Sequence, residues 1–188
     1  MVDRNRLLIL LEMAIMAALA FVFSEIKVFQ MPQGGSVSLV MVPIALIAVR
    51  RGMVPGVLTG MIVGLLQLFM GGYFVNVVQL LLDYPIAFAA LGLAGIVRIS
   101  EFENKSKRNL AVWGALLAGV LIRFACHFTS GIVWFGEFAP EGMNVAWYSF
   151  VYNITYLLPE MVISGIVLTI VLASAPQLLQ PARKRRLA

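Results

Sequence analysis

The sequence has 188 residues, of which 61% are hydrophobic and only 12% charged, with a mean hydropathy of +0.95. A soluble domain is nearer about 45–50% apolar and about 25% charged, and a chain this short exposes too much surface to hide the excess in a core. Composition therefore excludes a soluble protein and a disordered one, and the single cysteine, Cys126, excludes an internal disulfide or a thiolate metal cluster.

A membrane-crossing helix takes about 20 apolar residues. Six stretches qualify in chain order: Leu7–Ser24, Ser36–Val49, Met53–Met70, Asn76–Val97, Leu110–Val133 and Ala146–Ala173. The expected architecture is an all-α integral membrane protein, one six-helix domain across residues 1–188. The first stretch opens like a signal peptide. It lacks a small-residue cleavage site before Ser24–Lys27, so it reads as a retained span. The second is short and contains Pro43. Charge supports it, because Arg4 and Arg6 precede span one and Arg50 and Arg51 follow span two. If both pairs stay inside, two crossings lie between them.

The other bases agree. Arg98, Lys105, Lys107 and Arg108 separate spans four and five, and Arg183–Arg186 follow span six. Twelve of the fourteen Lys and Arg thus fall on one side, which places both termini in the cytoplasm. The net charge of +5 is therefore a mark of topology rather than of nucleic-acid binding. Between spans one and two, Val28–Gly35 holds Pro32, Gly34 and Gly35 and reads as a flexible or re-entrant connection.

Small residues mark close helix contact in lipid. Gly52, Gly56, Gly60 and Gly64 form one stripe on span three, expected to pack inside the bundle. Ala14 and Ala18 form another on span one, which suits internal packing or a partner equally well.

Polar residues within spans carry more information, since each ionisable group at mid-membrane costs about 2.5–3.5 kcal/mol on insertion scales. Span four puts Asn76, Gln79 and Asp83 on one helical face, followed by Tyr84. Span five aligns Arg123, His127, Ser130 and Trp134. Span six carries Trp147, Tyr148, Tyr152, Asn153, Tyr156 and Glu160. All three sets fall in the outer halves of their spans and predict an outward-facing polar and aromatic pocket. Plainer roles compete. Trp147 and Tyr148 suit interfacial anchors, and Arg123 and Glu160 suit mutual neutralisation. Glu12 lies near the cytoplasmic end of span one. A carboxylate, an imidazole, amides and aromatics together suit a flat heteroaromatic cation, held by stacking and cation–π attraction.

LLDYPIAFAALGLAG, HFTSGIVWFGEFAPEGMN and WYSFVYNITYLLPE resemble the thiamine-specific substrate-binding components of energy-coupling factor transporters. SLVMVPIALIAVRRG and the six-span layout extend the resemblance over most of the chain. It implies a multi-pass protein of a prokaryotic cell membrane that binds thiamine near the outer face and needs no cofactor. It implies delivery to a shared module of one transmembrane coupling protein and two ATP-binding subunits. The substrate-binding residues it implies are Asp83 for the aminopyrimidine, with Tyr84, His127, Tyr148 and Asn153, and Trp134 or Phe135 for stacking, Trp134 favoured. Ala14 and Ala18 become the contact with the coupling protein. With no tryptophan in residues 25–40, Phe29 or Met31 takes the lid position. Tyr148 and Asn153 are five residues apart, about 140° around a helix, so a kink or loop-like start to span six is expected.

Two other classes are considered. An intramembrane serine protease needs a Gly-x-Ser-Gly nucleophile with a histidine on another helix, but His127, the single histidine, shares its helix with Ser130–Gly131. His-Glu-x-x-His is absent. A stand-alone carrier often shows internal repeats, and none is visible. A binding component for another small vitamin is the remaining alternative.

Overall fold

The computed structural model describes residues 4–175 and Leu178, so the basic run at 183–186 lies outside the described residues. The chain is mostly helical. Helix α1 covers Arg4–Glu25, and a hairpin follows in which β1 (Phe29–Gln30) pairs antiparallel with β2 (Ser36–Val37). Helices α2 (Met41–Arg51) and α3 (Met53–Phe69) are joined by the single residue Gly52. Span four comes as pieces: α4 (Val77–Leu81), a π turn (Leu82–Ile86), α5 (Ala87–Ala90) and a 3-10 stretch (Leu91–Ile96). The long helices α6 (Lys105–Trp134) and α7 (Val145–Ser174) complete the bundle.

Four segments are long and apolar enough to cross a membrane: Arg4–Glu25, Val77–Glu101, Lys105–Trp134 and Val145–Ser174. The other two predicted spans fold as shorter helices. Helix α2 has 11 residues, about 16 Å, too little for a hydrocarbon layer of about 30 Å. It occupies the centre instead. Met41 to Val49 are buried without interruption, enclosed by α1, α3, the 3-10 stretch and α7. A helix apolar on every face has no side to offer to water.

Two expectations are corrected. The connection after α1 is not a loose loop but the β hairpin, a small departure from an all-α fold. Span four is not one regular helix. Pro85 lacks the N–H for the usual helical bond, and the chain widens into a π turn around it. Such turns recur at functional sites.

The glycine stripe of α3 packs inside, against this broken segment. Gly56 meets Ala48 and Gly92, Gly60 meets the Phe88 carbonyl, and Gly64 meets the Tyr84 carbonyl. Backbone contact at this range leaves no room for a side chain. On α1, Met13, Ala17, Ala20 and Ser24 face inward, whereas Ala14 and Ala18 are exposed. Near the start of α1, Glu12 accepts hydrogen bonds from Arg51 Nε at 2.6 Å and Nη2 at 2.5 Å, with Arg50 at 3.4 Å. This pairing fixes α1 to the end of α2.

Gly60→Ala is expected to destabilise the bundle by about 1–3 kcal/mol, because the added methyl overlaps the Phe88 carbonyl. Gly114 has open space, so Gly114→Ala should be neutral or slightly stabilising. Melting curves in detergent compare the two, and an unchanged melting temperature for Gly60→Ala would remove the close contact.

Candidate functional site

A cavity of about 580 Å³ lies between the ends of α1 and α3, the hairpin, span four, α6 and α7. Its acidic focus is Asp83, brought there by the π turn. Oδ1 lies 2.8 Å from His127 Nδ1. Oδ2 accepts from Gln79 Nε2 at 2.6 Å and from Ser130 Oγ at 2.6 Å. Gln79 is itself oriented, since its Oε1 accepts from the Val75 amide at 3.1 Å. Three donors from two helices thus hold one carboxylate in place, while Oδ1 keeps a lone pair free.

Behind His127 stands a second layer. Arg123 Nε donates to His127 Nε2 at 3.3 Å, and Arg123 Nη1 donates to Glu160 Oε2 at 3.3 Å. The guanidinium also lies 4.3 Å over the Phe88 ring. Arg123 and Glu160 therefore neutralise each other, as one reading of the sequence expected. Among the cavity's other acids, Glu25 has Lys27 at 4.0 Å. Asp83 is the cavity carboxylate with no Lys or Arg partner among the described residues.

The structure brings Asp83, Tyr84, His127, Tyr148 and Asn153 to one cavity. Tyr84 donates its hydroxyl to the Tyr73 carbonyl at 3.1 Å. Asn153 is tied by Nδ2 to the Ser149 carbonyl at 2.9 Å and accepts from Tyr156 Oη at 2.9 Å. No loop-like start to span six is needed, because α7 is helical from Val145. The cavity is broad enough to wrap α7, with the hairpin on one flank and the Phe135–Phe138 turn on another.

Trp134 is the exception. It is half-buried and is not on the cavity wall, whereas Phe135 and Phe138 are. Alignment with Arg123 and His127 assumed that the helix continued. It ends at Trp134, and the 3-10 turn Gly136–Phe138 redirects the next aromatics. Asn76 also leaves the predicted polar face. It caps α4, accepting from the Val78 amide at 2.8 Å.

The hairpin covers the cavity with polar residues and backbone from Gln30 to Ser36, and neither Phe29 nor Met31 lines it. Tyr152 secures it. Its hydroxyl accepts from the Gln33 amide at 2.9 Å and donates to the Gly34 carbonyl at 2.8 Å. Gly35, at a φ of 89°, lies against the Tyr156 ring, where a side chain would collide. Ser38 was missed by sequence reasoning. It donates to Glu160 Oε1 at 2.9 Å and accepts from the Val40 amide at 3.3 Å. A serine just ahead of an apolar run is a helix-start signal, and that was its visible trace.

A family model described as thiamine transporter protein matches residues 10–180. The chain belongs to this family. The thiamine transporter ThiT of Bacillus subtilis (strain 168) is 42% identical over 184 residues, covering 94% of this chain and 96% of that relative. ThiT of Lacticaseibacillus paracasei is 34% identical over 192 residues, covering 95% and 93%. A solved structure of ThiT from Listeria monocytogenes matches with a TM-score of 0.87 at 31% identity, over 95% of this chain and 100% of that one. The thiamine transporter fold thus extends over nearly the whole chain.

Tyr152→Phe removes both hydrogen bonds to the hairpin, each worth about 0.5–1.5 kcal/mol net. Amide exchange across residues 28–37 should accelerate roughly tenfold or more. Exchange at the wild-type rate would mean that the hairpin is held by other contacts.

Proposed function

We propose that this chain is the membrane-embedded subunit that captures thiamine at the outer face of a prokaryotic cell membrane for ATP-driven uptake. The observation that carries the reading is the charge pattern of the cavity. Glu25 and Glu160 have their own cations, while Asp83 has none. Thiamine carries a fixed positive charge on a flat ring and an exocyclic amine on a second ring. Asp83 balances the charge and accepts from the amine. Tyr84, Phe135, Phe138 and Tyr148 offer ring faces at the wall, where cation–π attraction adds about 1–2 kcal/mol once water is displaced. The volume lies in the range usual for small-molecule sites. His127 and Asn153 orient the carboxylate and the α7 wall, and the stacking role passes from Trp134 to Phe135.

The basic residues of α1, α2 and the segment after span four put these ends in the cytoplasm, which turns the cavity outward. A chain of this size has no room for a nucleotide-binding domain beside its helices, so energy comes from partners: a transmembrane coupling protein and two ATP-binding subunits. The exposed Ala14 and Ala18 on α1 form the contact with the coupling protein, since small side chains permit close helix approach. The chain itself binds and hands over its ligand without covalent chemistry.

Calorimetric titration of the detergent-purified protein with thiamine tests the ligand. Binding is expected, and an absent signal, or one with a different vitamin only, would overturn the assignment. Asp83→Asn should weaken binding roughly tenfold or more, the scale of a hydrogen bond to a charged group. Unchanged affinity would remove Asp83 from the site. Ala14→Trp should leave binding intact and abolish uptake in cells carrying the full transporter. Surviving uptake would move the docking face elsewhere.

A further inference from the structure

Glu160 lies one helical turn beyond Tyr156 on α7 and is 1% exposed. A carboxylate this deep costs several kcal/mol unless partners replace its water. Its partners are Arg123 Nη1 and Ser38 Oγ. Arg123, 5% exposed, turns its Nε to His127 Nε2. Every N–H of a guanidinium is a donor and none is an acceptor. His127 Nε2 must therefore accept, and Nδ1 carries the ring proton. That proton points at Asp83 Oδ1, 2.8 Å away. The direction of each hydrogen bond from α7 to the cavity carboxylate is thus set at Glu160.

We propose that Glu160 is a positioning residue for ligand binding: by holding Arg123 it fixes the Nδ1–H tautomer of His127 and keeps the Arg123 cation from neutralising Asp83. The proposal rests on the reading of Asp83 as the acceptor for thiamine. Without the Glu160 charge, Arg123 is a buried cation in need of a carboxylate, and the next along the hydrogen-bonded chain is Asp83. Arginine then occupies the lone pair that the ligand requires, and His127 loses the donor that orders it. Ser38 extends the arrangement to the root of the hairpin, one residue beyond β2.

His127 is the single histidine of the chain, so isotope-labelled histidine gives one imidazole signal in nuclear magnetic resonance of the full chain in micelles. The ligand-free wild type should show a protonated Nδ1 and a bare Nε2 at neutral pH. Glu160→Gln should lose this single tautomer and bind thiamine roughly tenfold or more weakly. Glu160→Asp, which keeps the carboxylate, should restore the tautomer. A Glu160→Gln protein that retains either the tautomer or the affinity overturns the proposal. So does a wild type protonated on Nε2, a result that holds even where the variant fails to fold. A wild type with the expected tautomer response but no thiamine binding supports the order of hydrogen bonds and overturns the thiamine reading instead.

Discussion

A charge inside a membrane bundle has to be met by another charge or by donors that replace water. The Arg123–Glu160 pair is where this protein meets that demand at its deepest point. Both residues are almost fully buried, and they join α6 to α7 where the cavity ends. Removing one partner of such a pair leaves the other uncompensated, which is why it constrains so much around it. Ser38, Phe88, His127 and Tyr156 all take positions relative to it. Above it the cavity opens to polar groups in ordered sequence, so a structural pair and a binding surface form one continuous arrangement.

The glycine stripe of α3 is the complementary constraint. Span four can be broken into α, π and 3-10 pieces only because another backbone lies close along it. Gly60 and Gly64 bring α3 onto the carbonyls at Phe88 and Tyr84. Irregular backbone at membrane depth is tolerated where protein covers it or where it lines a cavity, and here both conditions hold. Packing by the smallest residue thus permits the least regular segment, and that segment carries Asp83.

Much of the site was legible in the sequence because polar side chains in apolar runs are few. Asp83, His127 and Asn153 could be read as neighbours before any helix was placed, and the reading of Arg123 against Glu160 was among those available. What escaped depended on where helices stop. Trp134 shared a face with His127 only while α6 was imagined to continue, and its end passes the wall to Phe135 and Phe138. Helix α2 looked like a marginal span because length was the visible measure, whereas its burial on every side was the physical fact. The hairpin was hidden for another reason. Its strands are two residues each, too short for an alternating pattern, and its hold comes from Tyr152, more than a hundred residues away.

The π turn at Leu82–Ile86 has one more consequence. A π turn holds one residue more than an α turn in the same stretch of chain. Loss of a single residue here would let span four close into an ordinary helix, turning everything on one side by about 100° and shifting it by about 1.5 Å. Gln79 and Asp83 would then no longer meet Ser130 and His127 in the same register. The address of the carboxylate is therefore written in chain length as much as in side-chain identity. Within this stretch an insertion or deletion is a different kind of change from a substitution, because it moves the whole face at once.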